Sequence, residues 1–249
     1  MYDRCVDLGD ARRYLYRAEW QSFPDVLIFA SEPQVKRHPH YAAAKVGDAR
    51  SASALVEDIL ATTGLEAVRS LIAQFKPRLL AVHALESVGM NAIPRVLANR
   101  LSKELGLPLE SGVSQLNRVT HTGKSGYHRL AFPAVFDGSP RAADYLLVDD
   151  FIGQGGTIAN LRGHVHSLGG TVVGALALAG KHYSSKLQLQ GETLQRLRGK
   201  HGNQLEEWWI STFGYGFDRL TESEALYLFR SDSFDVITTR LATARGAGD

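Results

Sequence analysis

Apolar and polar positions along this chain fall into blocks of two kinds. Four apolar runs have the length of strands: PDVLIFAS (24–31), RLLAVHAL (78–85), DYLLVDD (144–150) and TVVGALALA (171–179). Short continuous apolar runs of this kind fit strands buried on both faces. Between them lie segments of helical period. Asp48 is placed to cap a helix through ARSASALVEDIL, and a second helical stretch, Leu65 to Phe75, stops ahead of Pro77, because a residue preceding proline is pushed out of the helical region. A third helix is expected from Asn91 to Leu105, closed by Gly106, and a fourth from Thr157 to Leu168, ahead of Gly169–Gly170. Another strand is expected within Leu107–Leu116, and the polar stretch NRVTHTGKSGYHR separates it from LAFPAVF. Toward the end, Thr221-Glu-Ser-Glu224 fits a capping box ahead of ALYLF.

Strands alternating with helices of this length predict βαβ units. The fold class is therefore α/β, a mostly parallel sheet flanked by helices. The expected division is a mainly helical N-terminal accessory segment (1–77), a core (78–182) and a C-terminal helical hood (183–249). The connector EPQVKRHPHYAAAKVGD belongs to the first of these, and its two prolines interrupt regular structure. Within it, His38, Tyr41 and Lys45 could project toward a site in the core; packing at a helix start is the favoured reading.

Composition narrows the class without naming a chemistry. Of 249 residues, 44% are hydrophobic and 22% charged, enough to bury a core. Lys and Arg number 28 against 26 Asp and Glu, a net charge of +2, too balanced for a nucleic-acid or anionic-lipid footprint. The lone Cys5 excludes an internal disulfide framework and suits a reducing compartment. No apolar run approaches the ~20 residues of a membrane span, and the opening MYDRCVDLGDARRYLYRAEW has no apolar block before a cleavage site. A soluble cytoplasmic protein is expected.

The chemistry concentrates in Leu146–Ile158, LLVDDFIGQGGTI. A buried strand ends in adjacent carboxylates, Asp149 and Asp150, and the chain enters a helix through Gly153, Gln154, Gly155, Gly156 and Thr157. Ligands of open parallel sheets bind at the carboxyl ends of strands. A glycine-rich turn into a helix offers backbone N–H groups and the positive end of a dipole to a phosphate. Two carboxylates beside such a cradle suit the vicinal hydroxyls of a ribose 5-phosphate, or the waters of a magnesium ion. A dinucleotide fingerprint would need glycine at 158, where Ile158 stands, and the TGKS of the polar stretch lacks a nucleotide-loop glycine because Arg118 occupies that place.

This segment resembles the PRPP-binding motif of type I phosphoribosyltransferases, with Gly153 and Gln154 where that family usually has threonines. GMNAIPRVLANRLSKELGLP further resembles the competence-associated and amidophosphoribosyltransferase-like branches. The likeness covers about residues 78–180. It implies that Asp149 and Asp150 face the ribose hydroxyls, with Mg2+ met through those hydroxyls or water, and that Gly153–Thr157 hold the 5-phosphate. Ser87, Val88, Gly89 and Asn91 would form the pyrophosphate loop, here without the basic residue often found in it. Residues 117–129 would form the flexible catalytic loop, with Arg118 and Lys124 closing over the leaving group beside His121, and Arg129 facing substrate; a solvated hairpin tip is the plainer reading. Lys181, at the exit of the strand ending at Ala179, is a further substrate-facing candidate.

The activity implied is transfer of a phosphoribosyl group from PRPP to a base or amine with release of pyrophosphate. A non-catalytic PRPP or nucleotide sensor on the same fold is the alternative, and a hydrolase using water as acceptor is a third reading. The partners expected are small molecules, with neither nucleic acid nor membrane. A homodimer is common in the family, although no heptad or apolar patch argues for one. Other signals have plain explanations. His164 and His166 cannot share a helix face, so a zinc site is not expected. Arg12, Arg13 and Arg17 read as a solvated helix face, and Trp208, Trp209 and FGYGF (213–217) as core packing with hood stacking as the alternative.

Overall fold

The apolar runs become strands of one parallel sheet. The computed structural model describes residues 15–82, 85–86, 89–117 and 125–246. In chain order the elements are β1 (Leu27–Ser31), α1 (Glu32–Lys36), α2 (Tyr41–Lys45), α3 (Ala49–Thr63), α4 (Glu66–Leu71), β2 (Arg78–Ala81), β3 (Leu85–Glu86), β4 (Gly89–Met90), α5 (Ile93–Leu105), β5 (Leu109–Glu110) and β6 (Val113–Gln115). They continue with α6 (Gly126–Ala131), β7 (Phe136–Gly138), β8 (Asp144–Ile152), α7 (Gly156–Ser167), β9 (Thr171–Gly180), α8 (Gly191–Phe213), α9 (Glu222–Phe229) and α10 (Phe234–Gly246). The sheet order is β1-β9-β8-β2-β5, with every neighbouring pair parallel. β3–β4 and β6–β7 form two small antiparallel pairs outside it.

Side-chain alternation about the strand axis divides the core into two layers. From β8, Leu146 and Val148 join Leu79, Leu176 and Leu178 against Leu55 and Ile59 of α3 and Leu97 and Leu101 of α5. Tyr145 and Leu147 point the other way, with Leu80, Ala175 and Ala177, against Leu161 and Val165 of α7. The hood has its own core, in which Trp209, Phe213, Phe217 and Leu228 pack with Tyr127 and Leu130 of α6. The aromatic run thus serves packing, with Tyr215 also reaching a cleft at the carboxyl ends of the strands. β1 pairs with β9, so the segment before residue 78 supplies an edge of the sheet.

Local chemistry explains the element boundaries. Asp48 caps α3 through an N–H bond from Ser51 at 2.6 Å. Gly106 closes α5 in the left-handed region at φ 66°. Thr221 and Glu224 form the expected capping box on α9. The single strand expected over 107–116 is instead split between β5 and β6. There the Glu110 carboxylate accepts from the N–H groups of Ser111 and Gly112 and turns the chain. Likewise 78–85 ends as a sheet strand at Ala81. Among the described residues no helix is long and apolar enough to cross a membrane.

Arg17 corrects an expectation. It lies on a stretch outside any helix or strand, 3% exposed, rather than on a solvated helix face. Its guanidinium bonds Glu224 of α9 bidentately at 2.5 and 2.9 Å and Asn160 of α7 at 2.7 Å. The extension, the α7 helix and the hood are thereby clamped together. The same stretch crosses α7 so closely that a Cβ at Gly163 would stand 1.8 Å from the Tyr16 carbonyl oxygen. His164 and His166 also serve local structure, the first meeting Gly138 O and the second accepting from Val172 N–H.

Removing one partner of a buried pair leaves the other charge uncompensated. Arg17→Met is therefore expected to lower the unfolding free energy by about 3–5 kcal/mol, read by urea denaturation. Adding Glu224→Gln, which removes the stranded charge, should recover part of that loss.

Candidate functional site

β8 runs its apolar residues through the sheet and carries the acid pair near its carboxyl end, two residues before Ile152, with both members buried at 7% and 6% exposure. Both side chains line the same cleft, close enough for their carboxyl groups to interact. Asp150 Oδ2 accepts from Lys45 Nζ of α2 at 2.7 Å and from Asn91 Nδ2 at 2.8 Å. Asn91 reaches it because its own Oδ1 accepts from Ile93 N–H at the head of α5. Asp149 Oδ1 accepts the backbone N–H of Asp150 at 2.8 Å. The two acids therefore titrate apart. Burial and the adjacent Asp150 charge push Asp149 well above the usual carboxylate range. Burial also works to raise Asp150, but Lys45 and the bonds from Lys45 and Asn91 outweigh it and hold Asp150 below that range.

The glycine-rich turn after the acid pair is open toward the same space. Gly155 sits at φ 82°, in the left-handed region, where it starts α7 with no side-chain cap on the first-turn N–H groups. A Cβ there would also lie 2.1 Å from Leu187 Cδ2, so two constraints demand glycine. At Gly153 a Cβ would meet Arg129 Nη1 at 2.4 Å, which places the guanidinium directly on the turn. Arg129 Nε and both amide atoms of Gln154 are buried without a hydrogen-bond partner among the described residues. Buried polar atoms are normally satisfied, and unsatisfied ones cost stability. Here they gather beside uncapped helix N–H groups, as a bound anion requires. The hood holds this turn from behind: Thr221 Oγ1 donates to Gln154 O at 2.5 Å, and a Cβ on Gly156 would lie 2.6 Å from Glu224 Oε1.

These elements enclose a cleft of about 550 Å³ at the carboxyl ends of the strands. It brings together Asp149, Asp150, Gly153, Gln154, Gly155, Gly156, Thr157, Asn91, Arg129 and Lys181 of the sequence candidates. Gly89 lies in the β3–β4 hairpin, while Ser87, Val88, Arg118, His121 and Lys124 lie outside the described residues. Of the accessory segment, Tyr41 and Lys45 line the cleft, whereas His38 faces Asp58 on the surface at 3.0 Å. Residues not singled out in the sequence also contribute. Glu32 and Lys36 come from α1, and Ser223, Leu226, Tyr227 and Arg230 form one face of the α9 region. Tyr183, 66% exposed, stands 5.7 Å from Lys181 Nζ. Only the helical spacing of 223, 226, 227 and 230 was a usable signal for any of these.

No family model matches the chain. It is 38% identical over 230 residues to protein TraN of Escherichia coli, covering 92% of this chain and 51% of TraN. It is 36% identical over 151 residues to an uncharacterized protein of Haemophilus influenzae, covering 60% of this chain and 34% of that one. The chain spans about half the length, or less, of these curated relatives. Similar solved structures are phosphoribosyltransferases. They include an adenine phosphoribosyltransferase (13% identity, 71% of this chain and 91% of that one, TM-score 0.37). The Saccharomyces cerevisiae adenine enzyme (15%, 71% and 89%, TM-score 0.36) and the Mycobacterium tuberculosis orotate enzyme (11%, 64% and 97%, TM-score 0.28) are others. At such identities and TM-scores these likenesses add no argument to the geometry.

The raised Asp149 carboxyl has a consequence for stability. A proton held more tightly in the folded chain makes stability fall as pH rises from the unfolded value of about 4 toward the native one. Asp149→Asn removes that slope. The variant is expected to melt above the wild type at pH 7 and to lose its advantage below about pH 4, as thermal unfolding across pH will report.

Proposed function

We propose that this chain binds PRPP and transfers its phosphoribosyl group to a base or amine, releasing pyrophosphate. The observation that carries this reading is the acid pair at the end of β8 beside an uncapped helix N-terminus. At that turn the buried donors of Arg129 and Gln154 have no partner among the described residues. An anion and a pair of hydroxyls spaced as in a ribose 5-phosphate would satisfy both halves. The Gly153–Thr157 turn would hold the phosphate, and Asp149 with the remaining oxygen of Asp150 would accept from the ribose hydroxyls.

Breaking the C1–pyrophosphate bond places positive charge on the ribose ring and negative charge on the leaving group. Lys36 and Lys181 line the cleft on which that leaving group would develop. The loop 86–91 and the cations Arg118 and Lys124 belong to the same reading. Magnesium, when bound, supplies further neutralisation of the diphosphate. The donor set fits contact through ribose hydroxyls or water, because Asp150 Oδ2 already carries two donors. Enclosure by the hood would exclude water from the reacting carbon and favour a positioned acceptor.

Asp149→Ala removes a hydroxyl acceptor while leaving the Lys45–Asp150 pair in place. A lost charge-assisted hydrogen bond is worth about 1.5–3 kcal/mol, so calorimetry should show PRPP binding weakened at least ~10-fold. Undiminished affinity would overturn the site. Pyrophosphate release measured across a panel of nucleobases and amines then separates the activities. Binding without turnover would assign the chain to the sensor reading.

A further inference from the structure

Asp150 does not meet the cleft as a bare carboxylate. Lys45 and Asn91 both donate to its Oδ2, at 2.7 and 2.8 Å, where the Lys45 and Asp150 side chains are only 15% and 9% exposed. The ammonium comes from the end of α2, far from β8 in the chain. Its delivery is built into the backbone. Ala92 N–H donates to Ala44 O at 3.2 Å, so the residues adjoining Asn91 and Lys45 are bonded to each other. Ala44 is fully buried. Just beyond, Gly47 adopts φ 110°, and a Cβ there would stand 3.0 Å from Met90 O. Two close backbone approaches thus bring two donors to one oxygen.

A cation at this distance does for paired carboxylates what a divalent ion does. It compensates one charge and leaves the other oxygens to accept from a ligand. With Asn91 it also takes up Asp150 Oδ2, so that oxygen no longer offers a free site for a second cation. Among the described residues no cluster of three or more His, Cys, Asp or Glu could hold a metal. We propose that Lys45 is the built-in cation of the acid pair, so that a 5-phosphorylated ribose engages this site without a divalent metal. This rests on the ribose reading of the cleft and assigns Lys45 as a positioning residue.

The probe is ribose 5-phosphate, which has no diphosphate to carry magnesium in. Calorimetry on the full chain should give wild-type affinities within about twofold in EDTA and in millimolar magnesium, and K45M should bind at least ~10-fold more weakly in EDTA, with magnesium restoring affinity. Thermal unfolding without ligand provides a second readout. Magnesium should raise the melting temperature of K45M, and neither that of the wild type nor that of the K45M–D150N variant, in which both charges are gone. A structural role alone would produce no such gained response to metal. Wild-type binding that requires magnesium overturns the proposal, as does K45M binding equal to wild type in EDTA or a loss magnesium does not relieve. Ribose 5-phosphate binding to none of the proteins overturns the ribose reading instead, and the melting shifts then decide the role of Lys45.

Discussion

A carboxylate withdrawn from water must find charge and hydrogen bonds, and Asp150 finds both on a single oxygen. That requirement organises the cleft. The end of the central strand, the head of α5 and the tip of α2 must meet within hydrogen-bonding distance, or a buried charge stands alone. A second buried pair, Arg17 with Glu224, imposes the same demand across the turn at Gly156. In both pairs the cation comes from the segment before residue 78 and the anion from the chain beyond it. The accessory segment is therefore part of the frame of the cleft.

The electrostatics of the cleft derive from these pairings. Asp150 is compensated, and Asp149 resists ionisation because burial and its neighbour oppose a second charge. What remains is a surplus of donors: helix N–H groups, Arg129, Gln154 and Lys181. At a net charge of +2 the chain has little long-range field, so attraction for an anion has to come from local donors such as these. A buried Asp149 beside Asp150 is expected to cost stability, which is the usual condition of residues held for a ligand.

Much of the fold was legible because its determinants are local. Apolar runs of strand length, Asp48, Gly106 and the Thr221–Glu224 box each act within a few residues, and the strands and helices they indicated formed, the 78–85 run only as far as Ala81. The acid pair and glycine turn were legible for the same reason. Lys45 was legible only as the less favoured alternative and Arg17 was misread, because an ion pair across 105 or 207 positions leaves no mark on the sign of either residue's neighbours. The strand expected over 107–116 broke because the Glu110 side chain competes for the backbone, a choice periodicity does not register. Gly153 and Gln154, standing where the resembled family usually has threonines, leave room for Arg129 and supply an amide at the turn.

The pairing of β1 with β9 reaches beyond the finished structure. Leu27 aligns with Leu176, so this edge of the sheet closes across roughly 150 positions of chain. During synthesis the apolar LIFAS segment emerges early, while the strand it needs is made only after β8 and α7. Until then it offers an unpaired, uncharged edge of the kind that seeks any other strand. Folding of this chain is thus a matter of timing, in which β1 waits for β9, and the waiting interval is when aggregation competes most strongly.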